Sequence, residues 1–277
     1  MSVLLALLSS VLWGTADYLG GTATKRLPAA VVVGASQACA LVALIPFALL
    51  GGASPDSLWT GVGAGLAGVI GLASFYAALA SGTMGVVAPI AALGALLPVA
   101  VGLARGESPS TLQRTGIALA IGGVVLASGP EIRGGAIRPL VLATVAALGF
   151  GLVGVFLADG AAASPGAVVT TLLVMRSTSV GLLLAAFLLA KTRGYVAGAV
   201  PRDLGLLAAI GFGDVGANAA YAFASRGALL SVVFVLASLY PVVTILLARQ
   251  FQREVLLPVQ VLGALGTLAG VALLAAG

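Results

Sequence analysis

Residues 68–76 read GVIGLASFY and residues 213–221 read GDVGANAAY. The two glycines and the tyrosine hold the same places, so Gly68, Gly71 and Tyr76 return as Gly213, Gly216 and Tyr221, 145 residues on. Further along, Glu107, Gln113, Gly116 and Gly123 return as Glu254, Gln260, Gly263 and Gly270, 147 residues on. Nearer the start of each half, Gly14 and Pro28 return as Gly151 and Pro165, 137 residues on. Small loop changes after an internal duplication produce such a drift. A repeat of this length decides the architecture before any single element is read. It divides the chain into residues 1–130 and residues 136–277.

Composition sets the solvent. Of 277 residues, 61% are hydrophobic and 8% charged, where a soluble domain carries roughly 25% charged residues. Mean hydropathy is +1.20. Such a chain cannot cover a water-facing surface and is an integral membrane protein. It has no histidine, which removes His metal sites, bases and proton relays, and its one cysteine, Cys39, can neither close an intrachain disulfide nor build a metal cluster. No metal, cofactor or nucleic-acid partner is expected. The net charge of +5 comes from single or paired basic residues between apolar stretches, as topology determinants do. The opening MSVLLALLSSVLWGTADYLGG lacks a basic leader and reads as a retained first span.

A membrane helix needs about 20 mainly apolar residues. Proline, glycine and charge punctuation predict ten spans: Val3–Thr22, Ala29–Leu50, Leu58–Ala80, Gly85–Leu103 and Leu112–Ser128, then Pro139–Ala158, Val168–Ala190, Leu204–Ser225, Leu229–Ala248 and Pro258–Ala276. The fold class is therefore an all-α membrane protein of ten transmembrane helices. The offsets pair spans 1 and 6, 3 and 8, 5 and 10. Five is odd, so the second copy enters the bilayer inverted, an architecture common in secondary transporters. Continuous rather than alternating apolar runs exclude a β-barrel. Gly61/Gly65 and Gly266/Gly270 form GxxxG pairs, which read as helix-packing residues.

Several local segments carry a family resemblance. Span 1 holds Trp13-Gly14-Thr15-Ala16-Asp17, span 4 holds Leu97-Pro98-Val99, and span 9 holds Tyr240-Pro241-Val242-Val243. Glu107 and Glu254 follow the two Pro-Val segments. In this order and duplication they resemble the EamA-type permeases of the drug/metabolite transporter superfamily over nearly the whole chain. There are departures. The proline-to-glutamate interval is 9 residues in the first half and 13 in the second, the glutamates precede Ser108 and Val255 rather than a basic residue, and Arg176 has Cys39 as its first-half equivalent.

Two carboxylates lie far from span ends, Asp17 and Asp214. A charge at the bilayer centre costs roughly 2.5–3.5 kcal/mol on insertion scales, so it is turned inward, paired or protonated. Asp214, Asn218, Tyr221 and Ser225 share one face of span 8. The equivalent span-3 positions of Asp214 and Asn218 are Val69 and Ala73, which predicts a cavity with its polar wall on span 8. The competing reading is an interhelical hydrogen-bond seam. Asp17 is expected to contact substrate or protons, or else to lie near the interface or cap a break at Gly20-Gly21. In the small multidrug branch of the superfamily a carboxylate of helix 1 is shared by protons and cationic drugs, and Asp17 is in the comparable helix. Arg176, nine residues into span 7, pairs with a carboxylate or an anionic substrate group. The resemblance places spans 1, 3, 6 and 8 around the substrate path, which adds the repeat-paired aromatics Trp13 with Phe150 and Tyr76 with Tyr221. Tyr240 is a further candidate.

The expected function is a secondary transporter, permease or exporter, of small metabolites across the plasma membrane by alternating access, as monomer or homodimer, with protons as a candidate coupling ion. No GxxxxGK[ST] loop is present. The alternatives are a lipid-linked carrier flippase and an intramembrane enzyme, and two buried carboxylates without histidine argue against the enzyme. Lys25, Arg26, Arg133, Arg138, Lys191, Arg193, Arg202, Arg249 and Arg253 lie on one side, and Arg105, Arg114 and Arg226 on the other. The positive-inside rule then puts both termini outside, whereas the resemblance puts both inside.

Overall fold

The computed structural model describes residues 1–50, 54–81, 84–128, 137–164, 166–192, 201–252 and 257–276. Gly82, Arg133, Pro165, Arg193, Arg253, Glu254 and Val255 lie outside the described residues. Among those described, all regular structure is helical. The helices are α1 (Ser2–Ala23), α2 (Ala29–Leu50), α3 (Leu58–Ser81), α4 (Met84–Ala92), α5 (Leu96–Ala104), α6 (Thr111–Ser128), α7 (Ile137–Ala163), α8 (Ala167–Thr192), α9 (Leu204–Ser225), α10 (Leu230–Ala237), α11 (Tyr240–Gln252) and α12 (Pro258–Ala276). Seven helical stretches are long and apolar enough to cross a bilayer, namely α1, α2, α3, α7, α8, α9 and the α10–α11 pair. The chain is thus a multi-pass membrane protein. The other three expected spans are not among these seven stretches. Ile90–Ala104 is a shorter apolar helix, and α6 and α12 have 18 and 19 residues.

Expected spans 4 and 9 are each broken in the middle, and proline is the cause. Proline lacks an N–H, and its ring collides with the carbonyl four residues earlier. Pro98 acts on Gly94, and the chain passes through a 3₁₀ turn at Leu93–Ala95. Pro241 acts on Ala237, the last residue of α10. The Pro-Val segments therefore mark helix breaks at corresponding places in the two halves.

The halves interleave rather than lie side by side. Helix α1 packs on α9 and α3 packs on α7; α2 meets α9 and α8 meets α3; α6 and α12 pack on each other. Repeated glycines make these approaches possible. A Cβ on Gly14 would press on the Tyr240 carbonyl and the Val243 side chain, and one on Gly151 would press on the Gly94 carbonyl and Leu97. Thr244 Oγ1 then donates to the carbonyls of both Gly14 (3.1 Å) and Tyr240 (3.0 Å). Gly61 and Gly65 seat Val174 and Thr178 of α8, and Gly116 and Gly270 meet backbone to backbone. This is close packing of the kind small residues allow where lipid supplies no hydrophobic drive between helices.

A glutamate ties the halves at one end. Helix α5 closes with Glu107 N–H donating to the Gly102 carbonyl (3.0 Å) and with Gly106 at φ 87°, a left-handed stop that favours glycine. The turn carries Glu107 to the start of α10. There it accepts from the N–H groups of Leu230 (2.6 Å) and Ser231 (3.1 Å) and from Ser231 Oγ (2.6 Å). A carboxylate at a helix N-terminus satisfies otherwise unpaired donors and complements the helix dipole. Arg105 beside it forms a two-pronged ion pair with Asp159 of α7 at 2.5 and 2.9 Å.

The close contact at the first break generates a stability prediction. Gly94→Ala forces a methyl onto the Ala147 carbonyl of α7 and is expected to cost about 1–3 kcal/mol, the usual range for overpacking. Gly34→Ala in α2 meets open space and should be neutral or stabilising by up to about 1 kcal/mol. Thermal unfolding of both variants in detergent checks this, and a Gly94→Ala protein as stable as Gly34→Ala contradicts it.

Candidate functional site

The helix breaks and the inward polar residues meet at one cavity of about 60 Å³, several times the space one water requires. Its polar wall comes from α1 (Trp13, Asp17), α2 (Gln37), α8 (Arg176) and α9 (Asp214, Asn218), with Ser238 from the α10–α11 break. Phe150, Tyr240, Met175 and Phe234 supply most of its larger apolar surface. Ala91 and Ala92, at the end of α4, also line it.

The centre of the wall is Asp214. Arg176 Nη2 lies 2.9 Å from its Oδ2. Gln37 Nε2 donates to the same oxygen at 3.2 Å. Trp13 Nε1 donates to Oδ1 at 3.2 Å, and Asn218 Nδ2 donates to Oδ1 at 3.1 Å. Arg176 Nη1 in turn donates to Gln37 Oε1 at 2.5 Å. Arg176 is 1% exposed. A guanidinium so buried is stable only when paired and hydrogen-bonded, and Gln37 does both jobs of a neutral bridge by accepting from the cation and donating to the anion. The spacing of Asp214 and Asn218, one turn apart in α9, also lets Asn218 Nδ2 reach the Asp214 carbonyl at 2.8 Å.

Six of the eight residues singled out from sequence line this cavity: Trp13, Asp17, Phe150, Arg176, Asp214 and Asn218. The other two, Tyr76 and Tyr221, lie behind its wall. Tyr221 is fully buried, donates its hydroxyl to the Gly154 carbonyl at 2.9 Å, and packs on Trp13 and Phe234 with ring centroids 6.0 and 5.4 Å apart. Tyr76 packs against Phe75 at 5.9 Å and fills the space left by Gly20. Tyr221 thereby holds two lining residues, Trp13 and Phe234, in place. Of the two possible partners for Arg176, the structure selects Asp214. Asp17 is 7% exposed and meets no donor or cation among the described residues. Gln37 was not legible as a site residue. It is a neutral side chain in an apolar helix, and its repeat position holds Val174. Its position in mid-span 2, the one amide in that apolar stretch, was the available signal.

A crystal structure of a protein 18% identical in sequence superimposes with a TM-score of 0.74, covering 98% of this chain and 95% of that one; the likeness is one of fold. Comparison with curated proteins gives no significant match. Residues 1–129 match the model of the EamA-like transporter family.

The buried pair makes a second prediction. Arg176→Met alone strands Asp214 and should cost about 3–5 kcal/mol. Adding Asp214→Asn removes the stranded charge and keeps Oδ1 as the acceptor for Trp13 and Asn218, while Gln37 can turn its amide oxygen to the new NH2 group, so the double variant should be more stable than the single one, a coupling read by a double-mutant cycle of unfolding midpoints. Additive losses would mean that the two charges do not interact.

Proposed function

We propose that the chain is a secondary transporter, a permease or exporter of small metabolites, built as two inverted five-helix repeats and working by alternating access at the Asp214 cavity in the plasma membrane. The observation that carries the reading is that helix packing survives exchange of the halves. The α1–α9 contact becomes α7–α3, and the α2–α9 contact becomes α8–α3. Repeat-related glycines follow the same rule, since Gly14 meets the break before Pro241 and Gly151 meets the break before Pro98. Halves that can trade conformations let a single site open to either side. Broken helices beside a midplane cavity, and a charged cluster facing the bundle interior, belong to the same design. The relation of residues 1–129 to EamA-like transporters points the same way. A flippase draws less support, because the cation at membrane depth, Arg176, is enclosed by the bundle rather than turned to lipid.

Uptake into proteoliposomes, measured for a panel of small metabolites with and without a proton gradient, tests the function. Asp214→Asn keeps the side-chain shape and should lower uptake per monodisperse molecule about tenfold to a hundredfold, the worth of a hydrogen bond to a charged group, and because it leaves the buried Arg176 unpaired it is measured beside the Arg176→Met, Asp214→Asn double variant. Wild-type rates for that variant at every pH would remove Asp214 from the mechanism. The rocking of the halves has its own readout. Cysteines at Ser81 and Ser225, in a Cys39→Ala background, should change accessibility in opposite senses when substrate is added. Identical labelling of both in every condition would favour a static channel.

A further inference from the structure

Helix α10 does not cap its own start. Its N-cap residue is Leu229, which makes no side-chain cap, where a helix normally uses Ser, Thr, Asp or Asn. The N–H groups of Leu230 and Ser231 are met instead by Glu107 of the other half, which also accepts from Ser231 Oγ. The chain leaves room for that carboxylate, since a Cβ on Gly102 would collide with it. One turn into α10, Phe234 lines the cavity and fills the groove left by Gly154. Seating α10 on Glu107 therefore holds Phe234 in the cavity wall. The tie joins the α3–α5 segment to the α9–α11 segment, and Arg105 with Asp159 braces it. The start of α1 lies against Gly227 and its end against Met84, so this tie and the α3–α4 turn sit at opposite ends of the bundle.

The repeat offers no equal tie at the opposite end. Glu107 has Glu254 as its counterpart, but at the offset of 145 Ser231 becomes Val86, and the neighbouring Gly85 and Val87 carry no hydroxyl either. At the offset of 137 Asp159 becomes Thr22, and no carboxylate lies within four residues of it to receive an arginine. Among the described residues, the ion pair across the halves at that end is Arg26 with Asp203, at 3.3 Å and with the arginine side chain 62% exposed. Exposed pairs hold weakly. We propose that Glu107 is a latch that keeps the cavity shut at the α9–α10 end, so that the solute-free protein rests shut there and opens at the α3–α4 end. The inference rests on the alternating-access reading, and adds to it a resting state and the contact that sets it. Release of the latch gives up a charge-assisted contact, and water takes over the freed N–H groups, so the step is reversible.

The test is a pair of nitroxide spin-label distances in the purified full-length protein in detergent, on cysteines placed in a Cys39→Ala background. Ala104 with Ala228 spans the latched end and Ser81 with Gln250 the opposite end, and all four positions are exposed. Without solute, the protein with Glu107 intact should give one short Ala104–Ala228 distance. Glu107→Gln keeps the shape and loses the charge. It should raise the population with that pair apart about tenfold or more, as expected for losing a hydrogen bond to a charged group, while the Ser81–Gln250 pair draws together. Ser231→Ala should act in the same sense and by less. An Ala104–Ala228 distance unmoved by Glu107→Gln overturns the proposal. So does loosening of that pair with no change at Ser81–Gln250, which would make Glu107 a fold-stabilising cap alone. A solute-free protein already open at the latched end overturns it too. If Glu107→Gln does not fold, Ser231→Ala and the distances with Glu107 intact decide. If the distances respond as expected but proteoliposomes take up nothing, the latch stands and the transporter reading fails. If solute is taken up and the distances ignore Glu107→Gln, the transporter reading stands and the latch fails.

Discussion

A guanidinium 1% exposed at membrane depth constrains everything around it. Arg176 cannot reach an interface by extending its side chain, so a carboxylate must come to it, and that carboxylate must itself be fully hydrogen-bonded. The second half supplies the pair, Arg176 from α8 and Asp214 from α9. The first half completes it with Gln37 from α2 and Trp13 from α1. The ion pair thus requires the two halves to interleave, and neither half alone could satisfy it.

Backbone chemistry makes that interleaving possible. Two prolines break two helices, and Gly14 and Gly151 let α1 and α7 approach the breaks closely; at the second break Thr244 Oγ1 donates to the carbonyls of Gly14 and Tyr240. The breaks also set the shape of the cavity. Ala91, Ala92 and Ser238 border it because the helices that carry them stop there. A continuous helix through Pro98 or Pro241 would fill the same volume with side chains and leave little space to bind.

The repeat, the all-helical membrane class and the inward stripe of α9 were legible in the sequence, because each rests on a strong local constraint. Repeated glycines mark close approach, and a charge inside an apolar run marks an inward face. Six of the eight residues chosen on those grounds do line one cavity. Tyr76 and Tyr221 share the repeat signal but lie one layer back, since a tyrosine recurring at a packing contact looks the same in sequence as one recurring at a binding wall. Gln37 was hidden for the opposite reason: its role depends on Arg176, 139 positions away, and no local pattern announces it. Helix breaks were also missed. The Pro-Val segments were visible, but span-length reasoning treats a proline in an apolar run as tolerated, and only its effect on the carbonyl four residues back shows that the helix ends.

The remaining asymmetry is chemical rather than architectural. Packing positions match across the halves: Gly14 with Gly151, Gly71 with Gly216, Pro98 with Pro241. Polar positions do not: Asp214 faces Val69 in the repeat, Asn218 faces Ala73, Arg176 faces Cys39, Gln37 faces Val174, and Asp17 faces Gly154. On the transporter reading proposed above, a symmetric scaffold would let the halves exchange shapes, whereas a solute would need one set of partners that it keeps throughout. Duplicating the charges would place two arginines and four carboxylates around a single small cavity, with like charges raising the cost of burial. Confining each charged group to one half avoids that cost.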